Sequence, residues 1–195
     1  MSLKNLLRFF LSLALCVLLV DGVAFSKTIK DVEIPEQITQ AGTQQKLVLN
    51  GAGIRKKFFI SVYIGALYLP QKQDSVTAII QSNEPRRVMM YCLYSEISKE
   101  KLVDAWNEGF RENSSEQILN PLRQRLSEFN KLFPALHKGD VVYLDYIPNK
   151  GTLLSFNDKV LGEIPGEDFN VALLKVWLGE NPVDSDLKAA MLGTP

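Results

Sequence analysis

Few side chains in this sequence combine a reactive type with a suggestive setting, and Arg55 leads them. It follows Asn50-Gly51-Ala52-Gly53-Ile54 and opens onto an apolar run with few acidic neighbours. A guanidinium at the edge of an apolar cavity suits a carboxylate, enolate or phenolate, because its planar fork donates two parallel hydrogen bonds. The competing role is a side chain that snorkels to solvent or pairs with a distant acid, and residue chemistry alone favours it. Gly51 and Gly53 at a strand's end permit a bulge or the close approach of another group. His137 is the sole histidine and precedes Lys138-Gly139-Asp140, so it reads as an exposed loop residue. A lone imidazole lacks the partners that metal or triad chemistry needs. Cys92 lies in the apolar stretch 88–94 and reads as a small buried hydrophobe. Glu163 and Glu167 read as solvated or capping charges. Asn113-Ser114-Ser115 matches a glycosylation sequon, a weak signal. There is no G-x-S-x-G, P-loop or dinucleotide fingerprint. The residues alone point to no catalytic set, no metal and no cofactor.

The chain has 195 residues, 46% hydrophobic and 23% charged, which is globular composition of one-domain size. Twenty-two Lys+Arg balance 22 Asp+Glu, which argues against a nucleic-acid binder that works by neutralising phosphates. Two cysteines exclude a disulfide framework. Lys4 and Arg8 precede a nearly continuous apolar stretch over residues 9–20. That is short for a bilayer span and fits a secretory leader; an uncleaved anchor is the alternative. Ala24-Phe25-Ser26 places small residues three and one before Lys27, predicting removal of residues 1–26. The expected product is a single domain, 27–195, periplasmic or secreted, touching a membrane only through the leader before cleavage. Cys16 would leave with it, so Cys92 would have no internal partner.

The elements that must position Arg55 read as follows. Residues 46–50 form a short strand and 58–69 a long one, apolar on both faces and therefore covered on both sides. Residues 75–81 suggest a short helix and 87–94 a strand. Ser98 caps a helix carrying Leu102, Trp106 and Phe110. Ser114 and Gln117 have capping-box spacing for the next, whose stripe is Ile118, Leu122, Leu126, Phe129 and Phe133, with Pro121 restarting or kinking it. Strands at 141–147, 152–156 and 159–164 are joined by turns. A helix then buries Phe169, Ala172, Leu173, Val176 and Trp177 and ends at Gly179, with a last helix near 185–192. Strands, helices, strands and helices argue an α+β fold with an antiparallel sheet and helices on one face.

Gly51-Ala52-Gly53-Ile54-Arg55 and Val62 to Tyr68 resemble the chalcone isomerase-like superfamily, particularly its bacterial exported branch. The similarity resumes at residues 151–156, at Ala172-Leu173-Leu174-Lys175-Val176-Trp177-Leu178-Gly179 and at Asp186-Leu187-Lys188. It implies an open-faced β-sandwich, a large antiparallel sheet packed on a helical layer with a ligand cleft between them. In the ring-closing plant enzymes an Arg works with a strand Thr, a Tyr/Asn pair and a late-helix hydroxyl. Here Arg55 matches the Arg. Tyr63 stands at the Thr position and Val176 at the hydroxyl position, and residues 113–117 offer no match to the pair. The fatty-acid-binding relatives use Arg and Tyr to hold a carboxylate, and Arg55 and Tyr63 resemble that couple. The resemblance therefore implies a non-catalytic binder of a small amphipathic or fatty acid. The alternatives are an intramolecular lyase or isomerase acting on an enone, and a structural or partner-binding module. One difficulty is geometric. In a single straight strand Arg55 and Tyr63 would lie about 26 Å apart. They meet only if the chain doubles back near residues 57–60, where Lys56-Lys57-Phe58-Phe59 is poor turn chemistry.

Overall fold

The computed structural model describes residues 26–194, so the expected leader lies outside the described residues except for Ser26. Strands β1 (Ser26–Ile29) and β2 (Val32–Pro35) pair as a hairpin, and β3 (Gln37–Thr39) follows. Next come β4 (Lys46–Lys57), β5 (Ile60–Leu69), helix α1 (Val76–Gln81), β6 (Arg86–Cys92) and the short β7 (Glu96–Ile97). Helix α2 (Lys99–Glu112), α3 (Glu116–Leu119), a 3₁₀ turn over Asn120–Leu122 and α4 (Arg123–Leu132) form the helical insert. After β8 (Leu136–His137) the chain returns through β9 (Val141–Ile147), β10 (Gly151–Phe156) and β11 (Lys159–Pro165). It ends in α5 (Glu167–Leu178) and α6 (Ser185–Met191).

Seven strands form one antiparallel sheet in the order β11-β10-β9-β6-β5-β4-β3. The larger core lies between this sheet and the helices. There Trp106 of α2 packs with Phe129, Phe133 and Trp177 at centroid distances of 5.4–5.5 Å. The smaller core lies on the opposite face, where Ile34 of the β1–β2 hairpin covers Leu47, Leu49, Ile64, Ala66 and Tyr68. The α+β open-faced architecture expected from the sequence is the one observed. β5 is covered on both sides, as its two apolar faces required: Tyr63 and Leu67 join the helical core, Ile64 and Ala66 the other.

Several local expectations are corrected. The expected strand over residues 58–69 begins at Ile60, because Phe58 and Phe59 form the turn that precedes it. The strand expected over 46–50 runs on through the glycines to Lys57. The capping box at Ser114 and Gln117 does not form: Ser115 is the N-cap residue and makes no side-chain cap bond, while the Ser114 hydroxyl is enclosed without a partner. Ile118 is exposed and Leu119 takes its place in the core, because the 3₁₀ turn at Pro121 breaks the helical period.

The close approach anticipated at the glycines is made by α6. Gly53 faces Gly65 across β4 and β5, and the two lie beneath Leu187 and Ala190. Gly51 lies beneath the last turn of α6, and the Asn50 amide donates to the Met191 carbonyl at 2.8 Å. Asp184 caps α6 by accepting from the Leu187 amide and also takes the Lys56 amide at 2.8 Å. The C-terminal helix is thereby fastened to the strand that carries Arg55.

Candidate functional site

The chain does double back where the site required it. Lys57 pairs with Ile60, leaving Phe58-Phe59 as a two-residue turn, and Arg55 falls directly opposite Tyr63. The Arg55 guanidinium carbon stands 5.5 Å from the centre of the Tyr63 ring. A separation of about 26 Å along a straight strand thus becomes a cross-strand contact.

Tyr63 is buried, and its oxygen accepts from the Trp177 indole N–H at 2.9 Å. That bond fixes the ring and leaves the phenolic proton for another acceptor. Burial pushes the Tyr63 pKa up; Arg55 and the Trp177 bond pull it down, and Asp184 adds to the rise. The net shift is upward, so at neutral pH this group is a hydrogen-bond donor rather than a phenolate. Arg55 is half-buried, its Nε is enclosed without a hydrogen-bond partner, and it forms no salt bridge with a described residue.

Arg55 and Tyr63 line a cavity of about 50 Å³. Its apolar walls come from Met90 of β6, Leu102 and Trp106 of α2, and Val176 of α5; Lys101 adds a second cation and the lining holds no acid. A guanidinium and a phenol that converge on a largely apolar, acid-free space are equipped to hold an oxyanion. The space is far below the ~300–1,000 Å³ of ordinary small-molecule pockets, because aromatic side chains fill the interior behind it. It has room for a polar head and little tail.

Other singled-out residues lie elsewhere. Asn113 ties the end of α2 to the loop after α5, donating to the Gly109 and Asn181 carbonyls at 3.0 and 2.8 Å. It is a structural bracket, and the sequon's side chain is already engaged. His137 is exposed, with Nδ1 3.7 Å from the Asp140 carboxylate. Cys92 is buried and burial pushes its thiol pKa up, away from nucleophile character. Among the described residues no group of three or more His, Cys, Asp or Glu is placed to hold a metal.

Trp177 was legible only as a core residue of its helix; its indole N–H, which needs a partner when buried, was the available signal. Arg86 was missed because the strand was expected to start one residue later. It is buried against the Tyr146 ring, 4.5 Å from its centre, and donates to Asn170, Ile79 and Ser82. Acceptors from α1, α5 and the loop after α1 hold it as a brace of the fold, while its Nη2 is enclosed without a partner.

A family model described as chalcone isomerase-like matches residues 26–193. No curated protein sequence matches. Among solved structures, the chain is similar to a fatty-acid binding protein of Arabidopsis thaliana, with a TM-score of 0.62 and 13% identity. The match covers 80% of this chain and 96% of the plant one. At that identity the likeness speaks for the fold. The family match spans almost every described residue, including the glycine strand, the β4–β5 pair and α5: this chain belongs to the chalcone isomerase-like family.

Proposed function

We propose that this protein is a non-catalytic binder of a small amphipathic acid, with Arg55 and Tyr63 holding the carboxylate. The observation that carries this reading is their convergence across β4 and β5 at the rim of a cavity without acids. The enclosed, unpartnered Nε of Arg55 supports it, since a buried donor lacking an internal partner is suited to an external one. The similarity to a fatty-acid binding protein agrees with a carboxylate ligand. The cavity favours a short tail, and a long acyl chain would need α2 to move away from the sheet.

Calorimetric titration with octanoate tests the site. Arg55→Ala should lower affinity about ten- to a hundredfold, the effect of losing a charged hydrogen bond of roughly 1.5–3 kcal/mol. Tyr63→Phe removes one neutral donor and should cost about 0.5–1.5 kcal/mol. Arg55→Lys should restore only part, because an ammonium cannot supply two parallel bonds. The melting temperature of Arg55→Ala should stay near wild type. Equal binding by wild type and Arg55→Ala would remove the site, and an unfolded Arg55→Ala would make Arg55 a structural residue.

We also propose export, as the bacterial branch of the family resemblance implies, with residues 1–26 removed and the product periplasmic or secreted. The basic start, the apolar stretch 9–20 and Ala24-Phe25-Ser26 support it. Intact-mass measurement of protein isolated from the producing cell should give a chain beginning at Lys27. A full-length species retained in the membrane would contradict it.

A further inference from the structure

We infer that the tip of the β4–β5 hairpin docks on an anionic lipid bilayer. Phe58 and Phe59 are 87% and 102% exposed, and Ile60 beside them is 49% exposed. They crown a finger. β5 pairs with β6 only from Tyr63 onward, and the backbone amides of Leu93 and Tyr94 reach no farther than Val62. The turn therefore stands roughly 10 Å beyond the paired sheet. Exposed Lys56 and Lys57 flank the aromatics, and no acid occurs between Ile54 and Tyr63.

Folding does not account for this composition. Phe58 holds φ at 56°, in the left-handed region that two-residue turns normally give to Gly or Asn. A bulky aromatic there works against the turn, and so does placing both rings in water. A bilayer surface accounts for both choices. Phenylalanine buries at the boundary between headgroups and acyl chains, while lysines extend their ammonium groups to lipid phosphates. The shape also favours lipid over a protein partner. A specific protein interface covers about 800 Å² per side around a central apolar anchor, and here two rings project alone with charged residues directly beneath. The sequence placed membrane contact in residues 1–26 only; the hairpin adds a second point, in the folded domain. Its base carries Arg55 and Tyr63, so docking would bring the cavity close to the headgroups, but the docking inference stands without the acid-binding reading.

A Phe59→Trp reporter tests the tip locally, whatever the state of the N-terminus, with emission from Trp106 and Trp177 subtracted using the unmodified protein. Vesicles of phosphatidylcholine and phosphatidylglycerol in equal parts should shift the reporter's emission to shorter wavelength, and brominated acyl chains should quench it. Vesicles of phosphatidylcholine alone should do so weakly. Lys56→Gln and Lys57→Gln should each lower the apparent affinity about fivefold, and added salt should act in the same direction. Phe58→Ser should lower it at least about tenfold. A reporter that stays solvent-exposed with anionic vesicles overturns the inference. So does one shielded without vesicles in step with self-association, which would make the tip a contact between copies. Octanoate titration reports on the cavity independently, so failure of one reading leaves the other measurable.

Discussion

Asp145→Ala is expected to lower the unfolding free energy by about 3–5 kcal/mol, the usual result of stripping one partner from a buried ion pair. Asp145 of β9 is fully buried and lies directly opposite Arg87 of β6. Both of its oxygens accept from Arg87, each at 2.8 Å, and the Arg87 side chain is 11% exposed. The guanidinium also stacks 4.5 Å from the centre of the Tyr143 ring. Removing the carboxylate leaves a guanidinium with little access to water and without its two-pronged acceptor. The pair itself contributes much less, because each ion gave up its hydration to form it. Arg87→Met combined with Asp145→Leu should therefore recover most of the loss. Urea unfolding of Arg87→Met, Asp145→Leu and the double variant completes the cycle. A double variant as unstable as Asp145→Ala would show that the strand pairing, not the charge balance, was broken.

The second large effect is expected at Gly51, where alanine should cost about 3 kcal/mol, at the upper end of overpacking penalties. A Cβ at this position would stand 2.0 Å from the Ala190 carbonyl oxygen and 2.9 Å from two further backbone atoms of residues 191 and 193. Backbone cannot step aside as a side chain can, so α6 must lift, and the Asn50 bond to Met191 goes with it. For a chain of this size the melting temperature should fall by roughly 6–12 °C. The same substitution at Gly65 meets no backbone among its nearest neighbours, only the flexible methyls of Leu187 at 3.2 Å and the Tyr63 ring at 3.5 Å, and should cost about 1 kcal/mol. Thermal unfolding that ranks Gly65→Ala as the worse variant would refute the account of α6 as a close-packed lid on β4.

What could be read in advance follows physical lines. Periodic burial survived translation into structure: the stripes of α2 and α5 and the two-sided burial of β5 come straight from apolar spacing. The glycines announced a close approach but could not name the partner, since α6 lies some 140 residues away in sequence and only packing brings it there. β4 was cut short because Gly-Ala-Gly carries little strand preference; cross-strand pairing overrides that. β1 to β3 went unread because they are short and rich in polar residues. The turn at Phe58-Phe59 was demanded by the Arg55–Tyr63 couple but not by the local residues, which lack turn chemistry, and the structure makes it. Arg55 and Tyr63 were named as site residues through family resemblance, and the hairpin brings them together. The cavity walls from α2 and the indole that orients Tyr63 depended on long-range packing and were out of reach.

The fastening of α6 onto β4 sets the order in which this molecule can form. Gly51 and Gly53 gain their cover only from residues 187–193, so one end of the sheet stays open until the last helix arrives. Contacts of such sequence separation pay their loop-closure entropy early and return stability late, which slows folding relative to chains held by local contacts. A chain halted before residue 187 has its sheet strands but no lid on the strand that bears Arg55. Docking of α6 is accordingly expected as a late, rate-shaping event, and Gly51→Ala should speed unfolding more than it slows folding.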